Sequence, residues 1–236
     1  RDKRNKMEIL FNISLTDSFA FTPLFPESLR EEDFITDFGK TRDTLILWTA
    51  DTIIAALDTI DFKFTYTVKD TLNQDVMRND TLLLVYKEPK KANTRNKDAE
   101  KPKKEVEKLK VNTIRSNGKQ NIHQKLRFSF DVPLGEIDSS KFEFFITPDT
   151  VDIPMDVFPL VDTNSLYSAI IDIDWPMETS YRMIMYPGAF HDIYGSTHDT
   201  INVKFTTKAL SDYGIIKLNL TNVEDTVLIQ LSSNKK

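Results

Sequence analysis

The feature that most constrains this chain is a strict two-residue alternation. In IDFKFTYTVKD, Phe62, Phe64, Tyr66 and Val68 fall on one side, while Asp61, Lys63, Thr65, Thr67 and Lys69 fall on the other. Successive side chains of a strand point to opposite faces, so this pattern specifies a strand with one buried and one wet face. KLRFSFDV repeats it, with Leu126, Phe128, Phe130 and Val132 against Lys125, Arg127, Ser129 and Asp131. So does TINVKFT, where Ile201, Val203 and Phe205 oppose Asn202 and Lys204. Helical spacing surfaces only near AEKPKKEVEKLK, which Pro102 interrupts. Alternation of this kind builds antiparallel sheets packed face to face, and the predicted fold is all-β.

A length of 236 residues allows two sandwiches if a linker divides them. KEPKKANTRNKDAEKPKK, beginning at Lys87, has no aromatic residue, two prolines and many lysines, too little apolar surface to fold alone. The expected organisation is a first sandwich over 1–87, a basic linker over 88–104 and a second sandwich over 105–209. The final stretch, 210–236, reads as two strands around TNVED: a hairpin that docks on the second sandwich or begins a further β unit.

Charge follows the same division. The net charge is −5, yet Lys87 to Lys125 carries 13 Lys and Arg against 5 Asp and Glu, a local +8 that leaves −13 elsewhere. That segment could lie against phosphate-bearing lipid or an acidic partner. It lacks the interleaved aromatics of a single-strand binder, so it reads as a solvated spacer and no nucleic-acid partner is expected. The chain has no cysteine, which removes disulfides, thiolate nucleophiles and cysteine zinc sites. No stretch approaches the roughly 18 apolar residues of a membrane span. The opening RDKRNK suggests a mature form or a piece of a longer precursor.

The two halves share a motif. FTYTVKDTLNQDVMRNDTLLLVY and YRMIMYPGAFHDIYGSTHDTINVKFTT each run from an alternating strand through Asp-x-x-Asn or Asp-x-x-Gly (Asp70 to Asn73, Asp192 to Gly195) to an Asp-Thr and another alternating strand. One tryptophan precedes each, Trp48 and Trp175, expected in the sandwich cores rather than stacked on sugars.

The second half, from FSFDVPLGEIDSSKFEF onward, resembles the bacterial Ig-like domain of S-layer and other surface proteins. The resemblance rests on Phe130 to Pro133, then on Tyr181, Gly188, Asp192, Gly195 and Phe205 to Thr207. It departs at Ser196, where that family usually has asparagine. The first half matches only through its closing hairpin. With DYGIIKLNL following, the arrangement is similar to surface lipoproteins of Bacteroides-type Gram-negative bacteria. That resemblance implies export to the outer membrane or cell surface, or to the periplasm. It also implies a lipid anchor upstream as the sole membrane contact, and other envelope or surface proteins as partners.

Asp-Thr pairs are over-represented. The chain has 24 Asp and 24 Thr and nine such pairs, where chance gives about two or three. Eight continue with Leu, Ile or Val: those at Thr44, Thr52, Thr59, Thr71, Thr81, Thr150, Thr200 and Thr226. This is similar to the O-glycosylation sequon of that bacterial group, which makes these threonines candidate glycan sites. The competing account is that aspartate closes a turn and threonine opens a strand.

Little else carries chemistry. His191-Asp192 and His198-Asp199 could supply imidazole and carboxylate to a divalent metal, but they flank a loop without helical spacing to converge them. An exposed turn is the expected setting. Asp172 and Asp174, expected on one wet strand face, could hold calcium or act as acid and base, and are expected to be solvated. With no Gly-x-Ser-x-Gly elbow, six glycines and only His123 beyond the pair, no catalytic residue, metal or cofactor is expected. The expected role is a non-enzymatic structural or protein-interaction module. The alternatives are an accessory subunit of an outer-membrane assembly or secretion complex, and a carbohydrate- or metal-binding module using the 191–199 hairpin.

Overall fold

The computed structural model describes residues 5–87, 108–115, 117–221, 228 and 230. The expected linker, 88–104, and Thr226 lie outside them. The chain is all-β. The first half contains β1 (Lys6–Leu10), β2 (Ala20–Phe25), β3 (Ile35–Phe38), β4 (Thr44–Trp48), a five-residue helix α1 (Thr52–Ala56), β5 (Thr59–Lys69) and β6 (Asp75–Val85). They pair as two three-stranded sheets, β1-β4-β3 and β2-β5-β6. The alternating residues of β5 do what their spacing predicts: Ile60, Phe62, Phe64 and Tyr66 are buried against Met7, Ile9, Leu45 and Leu47 of the opposite sheet. Pro23 is tolerated because β2 lies on an edge, where a missing N–H breaks no ladder.

Helix α1 occupies TIIAA. Asp51 caps it, its Oδ1 accepting the Ile53 N–H at 2.6 Å, so here the aspartate of an Asp-Thr pair opens a helix.

The second half is larger. It comprises β7 (Val111–Asn112), β8 (Gly118–Gln120), β9 (Leu126–Phe130), β10 (Leu134–Ile137), β11 (Phe142–Ile146), β12 (Ile153–Met155), β13 (Leu160–Val161), β14 (Ser168–Ile171), β15 (Ser180–Met185), β16 (Phe190–Asp192) and β17 (Ile201–Thr207). A five-stranded sheet, β12-β11-β15-β17-β8, faces a four-stranded one, β13-β14-β9-β7, and β10 pairs with β16 beside them. Nearly all pairs are antiparallel; β8 and β17 run parallel. The core is aromatic, with Phe144 within 6.2 Å of the rings of Trp175, Tyr181 and Phe205.

Three expectations need correction. The closing element of the second half is not a simple hairpin: β15 and β17 are neighbours, but the chain between them leaves the sheet to form β16 against β10. Asp172 and Asp174 do not share a strand, since β14 ends at Ile171; Asp172 instead pairs with Lys125 at 2.7 Å. The described residues from Gly214 to Thr221 are in no strand, and Ile215 and Ile216 are 89% and 72% exposed.

Candidate functional site

The shared Asp motif is a real structural unit. Asp70 Oδ1 accepts the N–H groups of Leu72 and Gln74, both at 2.8 Å, and its backbone carbonyl accepts from Asn73. Asp192 Oδ1 accepts from Tyr194 and Ser196, both at 2.8 Å, and its carbonyl accepts from Gly195. Asn73 and Gly195 have φ of 61° and 76°, the left-handed region that asparagine and glycine enter most readily. The duplicated sequence is therefore a duplicated Asx turn. Only its depth differs, since Asp192 is buried and Asp70 is exposed.

Tyr194, inside the second turn, reaches out of its own sandwich. Its hydroxyl lies 3.4 Å from the carbonyl of Asn5, which also accepts the N–H of buried Thr49 at 3.1 Å. Burial pushes the Tyr194 phenol up to about 12. Trp48 forms the other half of this contact. It is 3% exposed but lies outside the first core; its Nε1 donates to the hydroxyl of Tyr167 at 2.7 Å. Trp48 thus corrects the expectation that both tryptophans fill cores, for it fills the seam between them. Burial, the largest influence, and the charge of Asp37 raise the Tyr167 phenol far above its ordinary range. The Lys6 ammonium sits 5.4 Å from the Trp48 ring centre. Beside this contact lies a cleft of about 450 Å³, walled by Thr36, Asp37 and Phe38 on one side and by Leu134, Asp162 and Asn164 on the other.

Asp162 is the most committed carboxylate there. Its Oδ1 accepts the Asn164 N–H at 3.0 Å, and its Oδ2 accepts Ser168 Oγ at 2.9 Å and Arg127 Nη1 at 2.6 Å. These bonds, the Asn164 N–H foremost, hold its carboxyl below the usual range.

The histidines are not where the sequence placed them. His198 is 3% exposed rather than on an exposed turn; its Nδ1 lies 2.6 Å from the Asp199 carbonyl, and its ring sits 5.7 Å from that of Phe190. His191 is half-buried. Among the described residues no group of three His, Asp or Glu side chains could hold a metal. Neither indole offers an open face to a sugar, Trp175 being 6% exposed.

The candidate glycan sites divide by exposure. Thr52, Thr71, Thr81, Thr150 and Thr200 are exposed; Thr44 and Thr59 are half-buried, Thr44 donating to Asp43 at 3.1 Å. Thr44 and Thr59 open strands and Thr200 precedes one, as turn chemistry requires, but Asp80-Thr81 lies inside β6 and Thr71 in a turn.

The seam residues Asn5, Tyr167 and Tyr194 had no signal in the sequence. Tyrosines between turn residues carry no periodicity that would show which face they serve.

No family model and no curated protein matches this sequence. Among solved structures, the chain is similar to the I-band fragment I67-I69 from titin, at 10% identity and a TM-score of 0.22, with 88% of this chain and 61% of that one covered. The likeness is too slight to carry an argument, and the β-sandwich architecture stands on the sheets described above.

Proposed function

We propose that this chain is a non-enzymatic structural and interaction module of an exported cell-envelope protein, contacting partners through its sheet edges. The observation that carries the reading is the outer edge of β6, eleven residues long with β5 as its only strand partner among the described residues. It exposes Val76, Met77, Leu83 and Val85, with Met77 at 65% and Leu83 at 57%. The edge is apolar towards both ends, with Arg78, Asn79 and Asp80 between, and a strand edge without a second strand partner among the described residues is a template for a partner's strand. The second sandwich has a shorter counterpart in β13, where Leu160 and Val161 are 58% and 56% exposed. The resemblance to bacterial surface Ig-like domains supports the cellular setting.

A photo-crosslinking residue placed at Leu83 or Leu160, in the native envelope, tests the reading. Protein adducts at Leu83 that Met77→Lys abolishes are the expected result. No protein adduct from either edge overturns it. Intact-mass analysis of the same material reads the glycan sites, with added mass expected on the exposed threonines Thr52, Thr71, Thr81, Thr150 and Thr200.

A further inference from the structure

Loop 192–199 joins three parts of the molecule. Tyr194 touches Asn5 of the first sandwich, the Thr197 carbonyl accepts the N–H of buried Leu109 at 3.1 Å, and Asp199 binds Lys108 at 2.7 Å. Within the loop, His198 is buried with its ring against Phe190. A carbonyl can only accept, so Nδ1, facing the Asp199 carbonyl, carries the proton of the neutral ring, and Nε2 is left as a bare acceptor. Among the described residues that Nε2 is buried with no hydrogen-bond partner, and so is Nδ1 of His191.

We propose that acidification opens the seam between the two sandwiches: proton uptake by His198 releases loop 192–199, and with it the Tyr194–Asn5 contact.

The charged groups around the ring do not balance a proton there. From β16 comes His191, whose influence opposes a proton on His198; Asp199 is drawn outward to Lys108, its side chain 74% exposed. Glu136 and Lys141 lie around His191 instead, Glu136 opposite it in the β10–β16 register and Lys141 against Gly188. A second ring proton would add a charge and a donor to a site that offers Nε2 no acceptor. Burial, more than any other influence, holds the imidazole below its ordinary range, and His191 adds to it. Once the loop opens, the ring titrates near its ordinary value of about 6.5. The open-to-closed ratio therefore grows by about tenfold per pH unit below that value, until the closed form also takes the proton. Loops yield before core strands, so the seam parts before either sandwich melts.

Fluorine NMR of the full chain labelled with fluorotryptophan reads this directly, since Trp48 marks the seam and Trp175 the second core. From about pH 8 to about pH 5, across the histidine range, the Trp48 signal should move along a one-proton curve. Trp175 should stay fixed, and His198→Asn should abolish the movement. A static Trp48, a Trp175 that moves with it, or an unchanged response in His198→Asn overturns the proposal. If that variant does not fold, the imidazole titration of the wild-type protein decides: the midpoint of His198 must coincide with that of Trp48.

Discussion

The two sandwiches use the same turn at different depths. The first packs three strands over three, and its last strand, β6, overhangs the core, leaving the Asp70 turn and most of β6 in solvent. The second packs five over four and sends β16 sideways to β10, which draws the Asp192 turn inward and buries Asp192 and His198. The same set of hydrogen bonds can thus be a solvated link in one setting and a structural anchor in the other. What changes its worth is the number of strands around it.

The largest effect should come from the cores. Phe62 and Phe128 are both fully buried, and replacing either with alanine should cost about 3–5 kcal/mol in chemical denaturation. The smaller sandwich has fewer strands to spare, so Phe62→Ala should unfold the first half while the aromatic signature of Trp175 survives. Loss of both signals together would show that the seam makes the two halves one cooperative unit.

Next comes the turn itself. Asp192→Ala strands the half-buried N–H groups of Tyr194 and Ser196 and should cost about 1–3 kcal/mol. Asp70→Ala, with the same bonds open to water, should cost markedly less, and equal losses would break the comparison. At the seam, Tyr167→Phe leaves the Trp48 Nε1 without its acceptor and should cost about 1–2 kcal/mol, with a change in Trp48 fluorescence and none in Trp175.

The smallest effect is electrostatic. The folded state holds the Asp162 carboxyl below its ordinary value, so the stability it adds is present above about pH 4 and is lost as pH falls through the lowered value. Asp162→Asn should flatten that acid limb in pH-dependent melts and leave the histidine-linked change near neutrality untouched.

The alternating strands were legible because period two is written in the residues themselves, as β5, β9 and β17 show. The paired turns were legible as a repeated sequence, Asp70 to Asn73 and Asp192 to Gly195 between alternating strands, though the spacing alone does not specify the turn, since Asp199 stands three residues before Asn202 of β17. The seam was hidden. The alternation of β4 puts Trp48 on the face opposite Leu45 and Leu47, but nothing in that alternation shows that the second sandwich covers it. His198 was misplaced for a related reason: Gly195 and Asp192 mark a turn, but the turn is covered by β16 and by the segment at Leu109, which are remote in sequence or too short to show a period.

The parallel pairing of β8 with β17 bears on how the molecule answers a pull. Phe205, Thr206 and Thr207 sit in register with Gly118, Lys119 and Gln120, one strand near the start of the second sandwich and the other near its end. Tension applied along the chain drags the two past each other lengthwise. The bonds from Asn117 to Lys204 and from Lys208 to Gln120 then share the load with the pair, where an antiparallel hairpin such as β5–β6 would give way one rung at a time. Force on the chain would peel the first sandwich open from β6 while the second resists as a shear clamp.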